Sequence, residues 1–363
     1  MKKLISLLSA LALICSLAAC GASSSPSPSS AAPSAAAPSS ASSDTAAVPA
    51  DIKSMNIMIA HCDPEDMNDP YHHTASIFAQ KLKELSGGKI TATVYPNAQL
   101  GDERSVVEQV QNGSVDATVV TNAVASNFSE SAMLLDLPFM FDNLEEARAV
   151  TGGEYGQQIL DHFSTTGIKA LAFSENGFRY ILNNVNEVKS PDDLKGLKIR
   201  VMQSPVYLSF YGAVNSSAIA MAFGEVYTGL SQKVVDGFDL PMPVILSAKL
   251  YEVSKYMSDV RYTYTPLIIC VNQSAWDSWN NETQKVFMDA AQAARASCFE
   301  SNNKVVEDGL ATIEAAGVAC TAYEDVDSKA FREMSRPIWE QYAKTPETKA
   351  LLDSIVKTVE GMR

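Results

Sequence analysis

The chain has 363 residues, with 28 basic and 42 acidic side chains, a net charge of −14 and 46% hydrophobic residues. That composition excludes wholesale disorder, collagen and coiled coil, and the acidic balance argues against a nucleic-acid partner, whose phosphates need a basic face. Lys2 and Lys3 precede an apolar run that ends in Leu17-Ala18-Ala19-Cys20. A basic start, a short apolar stretch and small residues before a cut site read as a lipoprotein signal over residues 1–19. The run is shorter than the ~20 residues that cross hydrocarbon. Leu-Ala-Ala-Cys then Gly21 has the form of a lipobox, which makes Cys20 the lipidation site. Residues 20–50 form the tether: 26 of the 30 residues from 21 to 50 are Ala, Ser or Pro. Such a coil reaches about 30 Å and builds no core.

From residue 53 the pattern alternates between strand and helix. Strands are expected at 55–60, 89–95 and 117–121. Helices are expected at 73–86, stopped by Gly87-Gly88, and after Asp102, stopped at Asn112-Gly113. This β-α-β-α-β succession implies parallel pairing. An apolar loop (133–141), a helix (144–163) and a strand (168–173) follow. A second block has strands at 179–182, 197–201, 218–223 and 235–238, a helical turn at 190–193, and helices at 204–211 and 225–232. A late strand spans 267–272. A helical pattern without internal proline runs from 281 to about 316, ~50 Å long, and backs both blocks. The C-terminal 40 residues read as helical. The expected fold is an α/β clamshell of two lobes, the first 51–176 with 266–305 and the second 177–265 with 306–363, holding its ligand in the cleft.

Cys62, Cys270, Cys298 and Cys320 resemble no dense disulfide framework and are read as isolated thiols, with no pairing assigned. The loop from His61 to His73 is rich in metal-ligating types but matches no spacing with a mechanism, so a polar cleft loop is expected. The alternative is a secreted metal-dependent enzyme using that loop. No nucleophile motif, Walker loop or dinucleotide fingerprint occurs, and no cofactor is expected. Among nine arginines, Arg179 begins a strand and Arg200 ends one. A guanidinium there can fork onto a carboxylate or form a plain ion pair with one of the 42 acids. Position alone leaves both open.

The run Leu194-Lys195-Gly196-Leu197-Lys198-Ile199-Arg200-Val201 to Pro205, then Met221-Ala222-Phe223-Gly224-Glu225-Val226-Tyr227, then Val235-Asp236-Gly237, strongly resembles the DctP-type solute-binding proteins of TRAP transporters. Asn97-Ala98-Gln99-Leu100-Gly101, Leu137-Pro138-Phe139, Lys249-Leu250-Tyr251-Glu252-Val253 and Trp276 add to it. The resemblance implies a monomeric extracytoplasmic receptor that closes on an organic acid, a C4-dicarboxylate or a sugar acid. It would present that acid to TRAP permease subunits, touching the membrane only through its lipid. It implies that Arg200 bridges the ligand carboxylate and that Arg179 adds a second contact. Phe223 matches an aromatic lining position, though a core role fits as well. Arg104 matches an arginine near the ligand or a solvated helix residue. His72, in the loop after the first strand, and Asn122, directly after the strand at 117–121, complete the candidate set. Where many members read Gly-Gln-Glu-Asn-Pro, this chain reads Gly237-Phe238-Asp239-Leu240-Pro241. The change removes a polar contact, adds bulk, and leaves Asp239 as an acceptor for a ligand hydroxyl.

Overall fold

The computed structural model describes residues 51–363; the signal, Cys20 and the tether lie outside them. Strand β1 (Met55–Ala60) forms where expected. The helix after it, Pro70–Leu85, begins three residues earlier than the apolar spacing predicted. Asp69 caps it by accepting the Tyr71 and His72 amides, and Pro70 occupies the first turn, where no donor is needed. Strands β2 (Ile90–Tyr95) and β3 (Ala117–Thr121) both pair parallel with β1, in the order β2-β1-β3. Between them Asp102 caps the helix Glu103–Asn112 by accepting the Ser105 amide. The expected helix over 144–163 is two, Leu144–Gly152 and Glu154–His162, broken at Gly153.

The largest departure lies in the middle of the chain. The two strands expected at 168–173 and 179–182 are one strand of 16 residues, β4 (Ile168–Asn183). Four short strands follow it: β5 (Lys198–Val201), β6 (Ser217–Ala220), β7 (Gly237–Pro241) and β8 (Tyr256–Ser258). Strand β9 (Tyr264–Asn272) returns to the first block, and β10 (Ala319–Thr321) pairs with β8. The strand order is β2-β1-β3-β9-β4-β7-β5-β6. The first part of β4 pairs antiparallel with β9 as far as Phe178, and from Arg179 onward it pairs with β7. One strand therefore belongs to both sheets. Its register slips between Glu175 and Gly177, and Gly177 sits at φ 114°. A glycine bulge lets a strand bend without ending its ladder, which is why a sequence boundary there is not a structural one.

The helix Asn281–Ala315 has 35 residues and is about 52 Å long at 1.5 Å per residue. It packs on Pro70–Leu85, on β4 and on the helix Met242–Ser247, so it backs both sheets. The last helix, Pro346–Glu360, packs against Leu144–Gly152 and Glu154–His162, not against the second sheet. Its apolar face (Leu351, Leu352, Ile355, Val359) shows in the sequence, but the surface that receives it does not. Phe238 and Leu240, taken from the motif as altering ligand contacts, are buried in the apolar core with Leu182, Ile245 and Met257. Alternation along β7 sends them to one face and Asp239 to the other. Cys62, Cys270, Cys298 and Cys320 are all unpaired thiols. Among the described residues no helix is long and apolar enough to cross a membrane.

A β-branched residue at φ 114° is strained, so Gly177→Val should lower stability by about 1–3 kcal/mol, read from urea unfolding.

Candidate ligand-binding site

Arg200 is the third residue of β5, flanked in the sheet by Ile219 of β6 and Phe238 of β7. Only 2% of it is exposed. Its Nε and Nη2 donate to the Met221 carbonyl at 3.0 and 2.8 Å, and its buried Nη1 has no partner. No protein carboxylate forms an ion pair with it among the described residues. Burial, then the neighbouring Arg179 charge, pull its pKa below the usual arginine value, against Asp239 and Glu103. A buried cation with an idle donor is costly unless an anion completes it.

Arg200 borders a cavity with about 20 Å3 of free space, walled by Glu103 and Arg104 on one side and by Arg200, Met202, Gln203 and Phe223 on the other. The two sides touch where Asn127 Nδ2 donates to the Gln203 carbonyl at 2.7 Å. Glu103, not singled out from the sequence, is half-buried, and Oε1 alone accepts from the Thr121 amide (2.7 Å), the Thr121 hydroxyl (3.0 Å) and the Tyr71 hydroxyl (3.0 Å). Burial raises its pKa, although the Thr121 and Tyr71 bonds and Arg200 oppose the rise. Its neighbours in Gly101-Asp102-Glu103-Arg104 drew attention as a cap and an arginine, and only the fold shows which side chain turns inward.

Arg179 is placed differently from the expectation. It is fully buried, with Nε 3.1 Å from Asp239 Oδ2 and Nη2 donating to Asp239 Oδ1 at 3.2 Å and to the Asp239 carbonyl. Nη1 reaches the Thr265 hydroxyl at 3.4 Å, and the guanidinium lies over the Tyr207 ring. Burial works to lower its pKa, but Asp239 and the surrounding phenol oxygens outweigh this and hold it above the usual value. Asp239 is saturated by Arg179 and by the Tyr262 hydroxyl, so it is not the open hydroxyl acceptor expected from the sequence. The pair sets the platform beside Arg200.

The remaining candidates scatter. Arg104 is exposed, paired with Glu108 at 3.2 Å and 5.8 Å from the Phe128 ring, yet it borders the Arg200 cavity. Phe223 borders it too and is half-buried. Asn122 is fully buried, donating to the Ala132 carbonyl at 2.8 Å with its oxygen unpartnered. His72 shares a hydrogen bond with His61 at 3.1 Å, and His73 bonds the Met67 carbonyl and Ser297. Burial depresses both pKa values, that of His61 to about 3, so the pair is neutral at pH 7. Among the described residues no group of three or more metal-ligating side chains converges.

Two predictions follow from these burials. Asp239→Ala leaves Arg179 buried and alone, and should cost about 3–5 kcal/mol by denaturant unfolding. Asp136 is buried with neither oxygen partnered, and burial raises its pKa to about 7, although Asn122 and Arg179 pull it back. A carboxyl that holds its proton more tightly when folded loses stability as pH rises from about 4 to about 7. Asp136→Asn should therefore gain melting temperature relative to the wild type over that window, and hold the gain above it.

The model of the family described as bacterial extracellular solute-binding protein, family 7, matches residues 61–345. A solute-binding protein of Verminephrobacter eiseniae is 36% identical, over 74% of this chain and 79% of the other. The 2,3-diketo-L-gulonate-binding periplasmic protein of Escherichia coli is 32% identical over 73% and 80%. A crystal structure of a TRAP periplasmic solute-binding protein from a Polaromonas species, bound to D-erythronate, superposes with a TM-score of 0.80 at 29% identity, covering 83% of this chain and 98% of that one. Sequence and overall fold agree: the chain belongs to family 7 of the bacterial extracellular solute-binding proteins, TRAP-type receptors and not enzymes.

Proposed function

We propose that this chain captures a small hydroxylated organic acid in the Arg200 cavity and hands it to the membrane subunits of a TRAP permease. The observation that carries the reading is the buried guanidinium of Arg200, which has no protein carboxylate and one idle donor. A ligand carboxylate supplies the missing charge and can take two parallel bonds from it. Across the cavity, Glu103 offers an acceptor suited to a hydroxyl, and a second carboxylate placed there would be repelled. The E. coli relative is named for 2,3-diketo-L-gulonate, and the Polaromonas structure holds D-erythronate; both are hydroxylated acids. Closure bends the sheet at β4, around Gly177, bringing Glu103 and Arg104 against Arg200.

The receptor acts outside the cytoplasm as a monomer, held by lipid on Cys20 at the end of its tether, so that the folded part meets the permease without inserting in the bilayer. This rests on the Leu17-Ala18-Ala19-Cys20 motif and the composition of residues 21–50. Cys20→Ala should move the protein from the membrane fraction to the soluble fraction; unchanged membrane retention would remove the anchor from the account.

Truncating one partner of a desolvated charge pair costs about 2–5 kcal/mol, tens- to thousands-fold in affinity. Arg200→Ala should therefore abolish calorimetric binding across a panel of D-erythronate, galactonate and succinate, with an unchanged circular dichroism spectrum. Arg200→Lys should also bind poorly, because a point charge cannot fork. Unchanged affinity in both variants would refute the role.

A further inference from the structure

A second cavity, of about 330 Å3, lies behind β4. Phe178 and Tyr180 line it. Arg179, between them, reaches Met202 Sδ at 3.9 Å, and Met202 is a wall of the Arg200 cavity. Successive side chains of a strand face opposite ways, so β4 is the partition between the two cavities. The rear cavity takes its other walls from Leu144 before the strand, Met242 after β7, and Val306 of the long helix. Its volume is that of a small-molecule site.

Most of the free lining surface is apolar, although Asp142, Asn143, Glu175, Asn176, Arg261 and Asn302 also border the cavity, and two of these have an idle acceptor. Asn176 and Asn302 are 1% and 3% exposed, both border the cavity, and neither Oδ1 accepts a hydrogen bond. The Asn302 amide is held in one orientation, since its Nδ2 donates to the Glu175 carbonyl at 2.9 Å. Its oxygen is therefore a fixed acceptor. Buried acceptors are rarely left without a donor, and here two belong to residues that border one cavity.

We propose that this rear cavity is a second small-molecule site, taking a compact apolar molecule with one hydrogen-bond donor, such as an alcohol or a primary amide. The donor meets the Asn176 and Asn302 oxygens, and the body packs on Phe178, Tyr180 and Val306. This site is independent of what the Arg200 cavity binds. A consequence does rest on the two-lobed receptor reading: an occupant touching walls on both sides of β4 wedges behind the hinge. It then biases the hinge toward the arrangement seen in this structure, in which both cavities are present.

Benzyl alcohol and toluene, alike except for the hydroxyl, are the probes, titrated by ligand-observed NMR. The wild type should bind benzyl alcohol, and toluene more weakly by about threefold or more. Val306→Trp, which fills the cavity, should abolish both signals, and Asn176→Leu should erase the preference for the alcohol. A soaked crystal of the wild type should show the ring against Phe178. Absence of binding, signals that survive Val306→Trp, or density elsewhere would overturn the site. Spin labels on Glu108 and Leu208, in a Cys320→Ser background, should show a narrowed distance distribution when benzyl alcohol is added. An unchanged or broader distribution would overturn the wedge while leaving the site standing.

Discussion

A buried positive charge without a negative partner organises this protein. Arg200 lies in the middle of a sheet, shielded from water, and the Met221 carbonyl satisfies only part of its hydrogen-bonding capacity. The second arginine nearby adds to the repulsion, and Asp239, itself completed by Tyr262, offsets part of it. The two guanidinium groups thus have opposite tasks. One is closed within the protein and stiffens the platform; the other is left open and gives the cleft its preference for anions.

The sheet connects this electrostatic arrangement to motion. Arg179 is the first residue of β4 to pair with β7, and Phe178 is the last to pair with β9. The saturated ion pair is therefore located where the strand leaves one sheet for the other. A ladder that bends at a glycine bulge, braced by a helix about 52 Å long, moves through a narrow set of arrangements. Binding energy gathered at Arg200 is thereby directed into one motion instead of many.

Much of this was readable from residues alone. The helix start at Asp102, the stop at Gly113 and the length of the late helix follow from local rules, and they stand where those rules put them. Local rules failed where two distant partners decide. Periodicity split β4, because a bulge looks like an interruption until β7 and β9 are seen to hold both halves. Asp239 looked free, because nothing adjacent to it in sequence announces Arg179 or Tyr262, each at least 23 residues away. Glu103 was overlooked for the same reason: its hydrogen bonds come from Tyr71 and Thr121 on other elements.

The unpaired thiols have a bearing on how the protein is made. Cys62, Cys270 and Cys298 are sealed in the interior, and burial pushes each thiol pKa upward, so the reactive thiolate is scarce. Among the described residues there is no covalent cross-link that an oxidase would have to install or an isomerase correct. Residues 51–363 thus hold their fold by non-covalent contacts alone, with no bond in them for a change of redox poise to make or break.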